Sequence, residues 1–406
     1  MPPKASPVLI AHAHAARDNL GDELLVRSIQ SGLRDRLPEF ELSFVELFQS
    51  SDGSAGREIA PARSRESRKR LAEALAPTRA LIVGGGELVG PFHEYIFATL
   101  SAAAAGKPVH WLGVGGEAWG GRADRYFLKQ ALDHAKLIAS RDPQCTRTLR
   151  GMLHRHDIVD GRDLVYAYSA PKPALNHSNT IAVCLRGSER AERTWDARRL
   201  LEVALTLRGA QENGYTIHLI PFLSNDASEH VGSPNIDEQF RSDEAIAEFV
   251  ASRLLPERTL ITVIGRDVDA ATHILSTSSL LVSMRLHALI LASKIGVPFI
   301  ALDYAPKVRH ITRLLEVEKF CLLPEECIES LPQLISDLQT EALRTHFLGL
   351  LRKNVPALER TAANVFDESA RLLLKTISSD RPSRIDPQAF MMRSAQATYL
   401  RLVDNR

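Results

Sequence analysis

The feature that most constrains this sequence is the alternation of short apolar runs with amphipathic stretches along almost the whole chain. The run PVLIAHAH at 7–14 is followed by GDELLVRSIQSGLRDRL at 21–37, whose leucines and isoleucine recur at helical spacing. The runs FELSFVEL, RALIVGGG, PVHWLGVGG and AKLIASRD continue the pattern. Strands that alternate with helices are typical of parallel sheets covered by helices on both faces. The sequence therefore predicts an α/β fold with doubly wound, Rossmann-like sheets.

The alternation is interrupted at 167–180, where AYSAPKPALNHSNT is rich in Pro, Ser and Asn and has no apolar period. A chain of 406 residues is long enough for two domains. We predict an N-terminal Rossmann-like domain over 1–172 and a C-terminal one over 178–375, with a tail over 376–406 as a helix crossing back. Ligands of such sheets bind at the carboxyl ends of the strands, so we expect a ligand in a cleft between the domains.

The composition argues against several classes of function. The net charge of +1 provides no overall field for nucleic acids or anionic membranes. The four cysteines are scattered without a CxxC pair, which argues against a structural zinc site or a disulfide framework. No apolar run approaches the roughly 20 residues of a membrane helix, and the N-terminus reads as a buried strand instead of a signal peptide. We expect a cytoplasmic protein with no transmembrane segment and no nucleic-acid partner.

The stretch SMRLHALILASKIGVPFIALDY at 283–304 places an arginine and a histidine where a buried strand becomes a buried helix. The helix start offers free N–H groups, Arg285 offers a bidentate fork for a carboxylate or phosphate, and His287 can donate a proton near neutral pH. The alternative is an arginine paired with a protein carboxylate, beside a histidine satisfied in the core. Arg186 ends the first strand of the second domain, and Lys307 follows the strand PFIALDY, so both are expected to border the same cleft.

The first domain offers two weaker candidates. In VGGGELVG, Gly85 and Gly86 allow a ligand to approach the backbone, with Glu87 next to them, although the spacing is not that of a dinucleotide fingerprint. The alternative is a tight turn needed for packing. In HAHAARDNLGDE, the candidates for a base acting on a hydroxyl are His14, Asp18 and Asp22. Capping of the following helix explains these acids equally well, and a metal site here is the less favoured interpretation.

Taken together, these stretches resemble the polysaccharide pyruvyl transferase family. The resemblance covers about residues 18 to 310 and rests on GDELL, ALIVGGGEL, ASRD, IAVCLRG and above all VSMRLHALILASKIGVPFIALDYAPK. It implies two Rossmann-like domains facing a cleft, as in the GT-B fold. It also implies transfer of the pyruvyl group of phosphoenolpyruvate onto sugar hydroxyls of a glycan or glycoconjugate, which forms a pyruvate ketal and releases phosphate. The donor-binding residues implied are Arg186, Arg285, Leu286 and His287, with Leu286 contributing backbone and shape.

The implied chemistry assigns roles to the candidate residues. His287 would protonate the enol carbon or the departing phosphate, while Asp18, Asp22 or His14 would assist the sugar hydroxyl of an acceptor held by the first domain. Phosphoenolpyruvate serves as co-substrate, and the scheme requires no metal or other cofactor. Two alternatives stay open: a GT-B glycosyltransferase that uses a nucleotide sugar, and a non-catalytic relative that only binds a ligand.

Overall fold

All the strands that the structure describes are parallel and belong to two six-stranded sheets. The structure is a computed structural model and describes residues 6–12, 19–46, 65–90, 92–116, 120–170, 178–187, 194–223, 240 and 242–378. The chain divides into two units, one of residues 1–16, 25–168 and 360–406, the other of residues 17–24 and 169–359. This division places 17–24 with the second unit and 360–375 with the first, unlike the predicted ranges. The predicted tail helix over 376–406 lies outside the described residues from 379 onward.

The first unit contains six strands in the order β2-β1-β3-β4-β5-β6. Its elements are β1 (Ser6–His12), α1 (Leu20–Arg34, of which the unit includes residues 25 onward), β2 (Phe40–Glu46), α2 (Arg65–Leu75), β3 (Ala80–Glu87), α3 (His93–Ala104), β4 (Val109–Gly115), α4 (Arg122–Asp133), β5 (Leu137–Ser140), α5 (Pro143–Leu153) and β6 (Val159–Asp160). The direction of strand order reverses between β1 and β3. Such a reversal is where ligands bind in open parallel sheets.

The second unit has the strand order β12-β11-β10-β7-β8-β9, which reverses between β7 and β10. Its elements are β7 (Thr180–Cys184), α6 (Ala197–Glu212), β8 (Thr216–Leu219), α7 (Asp243–Ala251), β9 (Thr259–Ile261), α8 (Val268–Thr277), β10 (Leu280–Ser283), α9 (Leu286–Ile295), β11 (Phe299–Leu302), α10 (Pro306–Leu314), β12 (Cys321–Leu322), α11 (Cys327–Asp337) and α12 (Glu341–Ser378, of which the unit includes residues up to 359). The order is that of a Rossmann sheet.

The sequence prediction of an α/β fold with doubly wound parallel sheets is confirmed. Every residue of β10 and β11 is buried, as expected for strands covered on both faces. Helix boundaries follow ordinary signals: Asp196 caps α6 by accepting from Arg199 N, and Gly296 ends α9 in the left-handed region at φ 80°. Among the described residues, no helix is both long enough and apolar enough to cross a membrane.

His110 is a titratable group buried inside the first unit. It lies on β4 with no exposed surface, and its Nδ1 is 2.8 Å from Ser369 Oγ of α12. Its Nε2 has no hydrogen-bond partner in the described part of the chain. Burial lowers the pKa of His110 to about 4, against a smaller opposing effect of Glu368. The imidazole is therefore neutral in the folded protein at neutral pH.

We predict that His110 makes the protein less stable as the pH falls below neutral. Because the folded pKa lies below the unfolded value of 6.5, the unfolded chain binds the extra proton in this window. The stabilisation is complete above pH 6.5 and is lost as the pH approaches 4, with about 2 kcal/mol lost between pH 7 and pH 5. Urea unfolding at both pH values tests this. His110→Gln should remove that pH dependence, whereas His156→Gln, at an exposed position, should keep it; equal pH dependence in all three proteins would contradict the prediction.

Candidate functional site

Two arginines occupy equivalent positions at the reversal of strand order in the second unit. β7 and β10 are parallel neighbours in which Cys184 pairs with Ser283, so Arg186 and Arg285 each lie two residues beyond a paired strand end. The carboxyl ends of parallel strands meet at one edge of a sheet, and the reversal leaves a crevice there. The topology therefore brings Arg186 and Arg285 to the same edge, as their strand-end positions in the sequence suggest.

The guanidinium of Arg285 is held by a buried carboxylate, Asp243, which is the first residue of α7. Arg285 Nε donates to Asp243 Oδ2 at 2.6 Å, and Nη2 donates to Oδ1. The side chains are 8% and 0% exposed. Arg285 is thus paired with a carboxylate of the protein itself, which is the alternative interpretation given from the sequence. Nη1 forms no hydrogen bond within the described residues, so the Nη1–Nη2 edge of the guanidinium is the edge left for a ligand.

Asp243 also accepts two backbone hydrogen bonds from neighbouring strand exits. Gly187 N donates to Oδ1 at 2.9 Å and Phe222 N donates to Oδ2 at 3.1 Å. With the two bonds from Arg285, these fill the roughly four acceptor positions of a carboxylate. A Cβ on Gly187 would lie 2.3 Å from backbone atoms of Ser242, so glycine is needed for the exit of β7 to come this close to α7.

Sequence reasoning missed Asp243. It follows Ser242, whose side chain caps α7 by accepting from Ala245 N, and an acid in a first helical turn is fully explained by the helix dipole. Only the approach of β7, β8 and β10 to the start of α7 distinguishes this carboxylate from an ordinary first-turn acid. The available signal was indirect: a buried arginine at a strand end needs an anionic partner.

Arg186 and Lys307 are both close to the ring of Tyr304. The Arg186 guanidinium carbon lies 5.2 Å from the ring centroid and Lys307 Nζ lies 5.8 Å from it. Tyr304 follows β11 and is 4% exposed, while Lys307 is the second residue of α10. Cations at this distance from an aromatic ring are attracted to it. The buried ring thus places two positive charges at the same edge of the sheet as Arg285.

His287 and Leu286 begin α9, and His287 contacts the start of α1. A Cβ on Gly21 would lie 2.1 Å from His287 Nδ1, so only a glycine fits against the imidazole here. Leu286 is 7% exposed and belongs to the buried hydrophobic core. The start of α1 is joined to the second unit, because Leu20 N donates to Phe222 O at 3.0 Å. This contact explains why residues 17–24 group with the second unit.

Asp22 lies next to Gly21 and is 6% exposed. Its Oδ2 accepts from Asn19 Nδ2 at 2.6 Å, and Asn19 in turn forms a bridge to Leu223 beyond β8. The GDE segment therefore brings one candidate base beside the residue that contacts His287. The other two candidates, His14 and Asp18, lie outside the described residues.

Gly85, Gly86 and Glu87 lie in the first unit, at the end of β3. Gly85 and Gly86 have φ values of +74° and +101°, and a Cβ on Gly85 would lie 3.0 Å from Leu25 Cβ. The alternative given from the sequence, a tight turn needed for packing, therefore accounts for Gly85. Glu87 is 47% exposed and lies 3.2 Å from Nη2 of Arg141, which is 7% exposed. Since Arg141 follows β5 and Glu87 ends β3, this ion pair spans the carboxyl end of β4 between them.

A family model described as polysaccharide pyruvyl transferase matches residues 19–306, a range that contains Arg186, Arg285 and His287 and ends just before Lys307. The chain belongs to the polysaccharide pyruvyl transferase family. This confirms the resemblance seen in the sequence. No curated protein sequence matches the chain.

Solved structures with a GT-B-like fold resemble this family member over almost their whole length. A putative UDP-N-acetylglucosamine 2-epimerase from Listeria monocytogenes is 14% identical, covers 93% of this chain and 98% of its own, and has a TM-score of 0.60. UDP-GlcNAc 2-epimerase from Neisseria meningitidis, bound to UDP-GlcNAc, is 12% identical with 91% and 100% covered and a TM-score of 0.55. A glycosyltransferase from Rickettsia africae is 11% identical with 93% and 100% covered and a TM-score of 0.54. At these identities the likeness shows the fold alone.

We predict that Asp243→Asn destabilises the second unit strongly. Removing the charge leaves Arg285 buried without compensation, which costs about 3 to 5 kcal/mol of unfolding free energy when one partner of a buried pair is lost. Urea unfolding of this variant beside Glu212→Gln measures the effect, because Glu212 forms a largely exposed pair with Arg208 on α6. The control should lose less than about 1 kcal/mol. Equal losses in the two variants would show that Asp243 does not hold the strand exits together.

Proposed function

We propose that this protein transfers the pyruvyl group of phosphoenolpyruvate onto sugar hydroxyls of a glycan or glycoconjugate. The observation that carries the proposal is the placement of Arg186, Arg285, His287 and Lys307 at the carboxyl ends of three neighbouring strands. Family membership supports transfer of a pyruvyl group, and this cluster of side chains supports phosphoenolpyruvate as its donor.

The charges of the cluster suit a small dianionic donor. Phosphoenolpyruvate carries a carboxylate and a phosphate, which need at least two cationic partners held a few ångströms apart. Arg186 and Lys307 lie close to the ring of Tyr304 and supply two cations, while Arg285 supplies a guanidinium edge that Asp243 keeps in place. The first turn of α9 adds backbone N–H groups, because its cap residue Arg285 makes no side-chain capping bond.

The reaction requires a proton donor beside the enol carbon. In the proposed scheme a proton added to the methylene carbon turns the adjacent carbon into an electrophile, and a sugar hydroxyl adds there and loses its own proton. A second sugar hydroxyl then displaces phosphate, and a ketal results. We assign the first proton, or the proton taken up by departing phosphate, to His287. Asp22 is the described candidate for accepting a hydroxyl proton, and Asp18 and His14 remain candidates from the sequence.

The acceptor in this proposal is a sugar-containing molecule. The sequence prediction assigns Gly85, Gly86 and Glu87 to its binding, and the ion pair of Glu87 with Arg141 supports that role. The half-exposed carboxylate of Glu87 can accept hydrogen bonds from sugar hydroxyls while the buried guanidinium of Arg141 holds it in place. This part of the proposal rests on the first unit alone.

A nucleotide-sugar transferase is the alternative that the solved neighbours suggest, since the Neisseria enzyme binds UDP-GlcNAc and the Rickettsia protein is a glycosyltransferase. We favour pyruvyl transfer because the family model covers the segment that contains Arg186, Arg285 and His287, whereas likeness to the neighbours extends to the fold only.

We predict saturable binding of phosphoenolpyruvate that depends on Arg186. Calorimetric titration of the wild-type protein, with a sugar acceptor analogue added in a parallel series, should give a binding isotherm. Arg186→Ala should weaken it at least tenfold through loss of a charge-assisted contact. Arg208→Ala removes an equal charge from α6 outside the cluster and should bind like wild type. Clear binding of a nucleotide sugar, with none of phosphoenolpyruvate in either series, would contradict the proposal and favour the glycosyltransferase.

We further predict that His287→Gln separates binding from turnover. If His287 supplies the proton, the variant should bind phosphoenolpyruvate within a few-fold of wild type and release phosphate about 100- to 10,000-fold more slowly. Phosphate release is measured over a pH series, because loss of an acid also removes its limb of the pH–rate profile. Wild-type turnover in a folded His287→Gln protein would contradict the acid assignment. Absence of turnover in the wild type, with donor binding intact, would indicate a non-catalytic relative.

A further inference from the structure

The second unit contains a cavity of about 450 Å³ beside the donor cluster. It opens at the residues that follow β11 and β12 and at the first turns of α6 and α10. The volume lies in the range of small-ligand sites, about 300 to 1,000 Å³. Neither Arg186 nor Lys307 lines it, so it is separate from the cations assigned to the donor.

Three arginines on two helices give the cavity its charge. Arg199 lies in the first turn of α6, and Arg309 and Arg313 lie one turn apart on α10. The acids in the wall are Asp303, whose Oδ2 accepts from Arg309 Nε at 2.8 Å and also from Nη2, and the exposed Glu325.

Two of the three guanidinium groups are not neutralised by ion pairs. Arg199 donates to the carbonyl of Thr194 at 3.1 Å, and neither Arg199 nor Arg313 forms an ion pair within the described part of the chain. A concave wall with positive charge left over favours an anionic ligand, and planar guanidinium groups suit phosphate oxygens.

The start of α10 adds backbone dipoles to the same wall. Ala305 is its cap residue and Pro306 its first residue, both line the cavity, and no side chain caps this helix. The positive end of a helix of nine residues therefore meets the cavity at the side where Arg309 lies, which favours an anion further.

Tyr304 connects the cavity to the donor cluster, because it lines the cavity and its ring also attracts Arg186 and Lys307. We propose that this cavity is a second anion site, which binds a diphosphate group carried by the acceptor. The assignment to the acceptor rests on the proposed pyruvyl transfer, whereas the anion site itself does not. The same chemistry would also hold inorganic phosphate released by the reaction, and the test separates the two sources.

The experiment measures calorimetric binding of inorganic pyrophosphate, inorganic phosphate and phosphoenolpyruvate to four full-length proteins. These are the wild type, the double variant Arg199→Gln/Arg313→Gln, the control Arg198→Gln and the donor-cluster variant Arg186→Ala. Arg198 neighbours Arg199 on α6, is 82% exposed and pairs with Glu202. Thermal unfolding checks that each variant is folded.

The proposal expects pyrophosphate to bind the wild type, Arg198→Gln and Arg186→Ala alike and to bind the double variant at least tenfold more weakly. Phosphoenolpyruvate binding should be unchanged in the double variant. Equal pyrophosphate binding in the wild type and the double variant, or loss in Arg186→Ala alone, would overturn the second site. Inorganic phosphate binding as tightly as pyrophosphate would overturn the assignment to the acceptor.

The outcome separates this inference from the proposed function. Pyrophosphate binding that depends on Arg199 and Arg313, with no phosphoenolpyruvate binding in any protein, would leave the anion site standing and remove the pyruvyl-transfer assignment. Phosphoenolpyruvate binding without pyrophosphate binding would leave the pyruvyl-transfer assignment standing and remove the anion site.

Discussion

The carboxylate of Asp243 is the constraint on which the site in the second unit depends. It is fully buried, and its two oxygens accept from Arg285, from the amide of Gly187 and from the amide of Phe222. A buried carboxylate is costly to desolvate, and the cost is offset only when every acceptor position is filled and the opposite charge lies within hydrogen-bond distance. Because the donors come from the exits of β7, β8 and β10, one side chain fixes three strand exits relative to α7.

Arg285 and the other two cations of the cluster are held in place by different groups. Arg285 has one edge of its guanidinium committed to Asp243, so its position is set before any ligand arrives, and a prepositioned group loses little conformational freedom on binding. Arg186 and Lys307 both lie close to the ring of Tyr304, which attracts cations. In the proposed transfer the carboxylate of phosphoenolpyruvate stays on the pyruvyl group while the phosphate ester leaves as free phosphate, so separate cations are suited to the two anionic groups.

Glycines determine how closely the segments of the second unit approach one another. Gly187 allows the exit of β7 to pass the backbone of Ser242, and Gly21 allows the start of α1 to lie against His287. The second contact carries Asp22 to the carboxyl edge of the sheet in the second unit, although α1 continues in the first. Residues 17–24 thus belong to the second unit, although the residues on either side of them in the sequence belong to the first.

The sequence by itself determined the α/β class, the sheet-forming runs, and the presence of Arg186, Arg285 and His287 at strand ends, because hydrophobic periodicity and strand-end position are local properties. It also carried the family motifs. Only the tertiary structure decided that Asp243 pairs with Arg285, that Gly21 packs against His287, and that Arg199 and Arg313 share a cavity with Tyr304. These contacts join residues far apart in the chain, and each depends on strand order. Strand order is set by how the whole sheet buries its faces, and no single stretch of sequence contains that information.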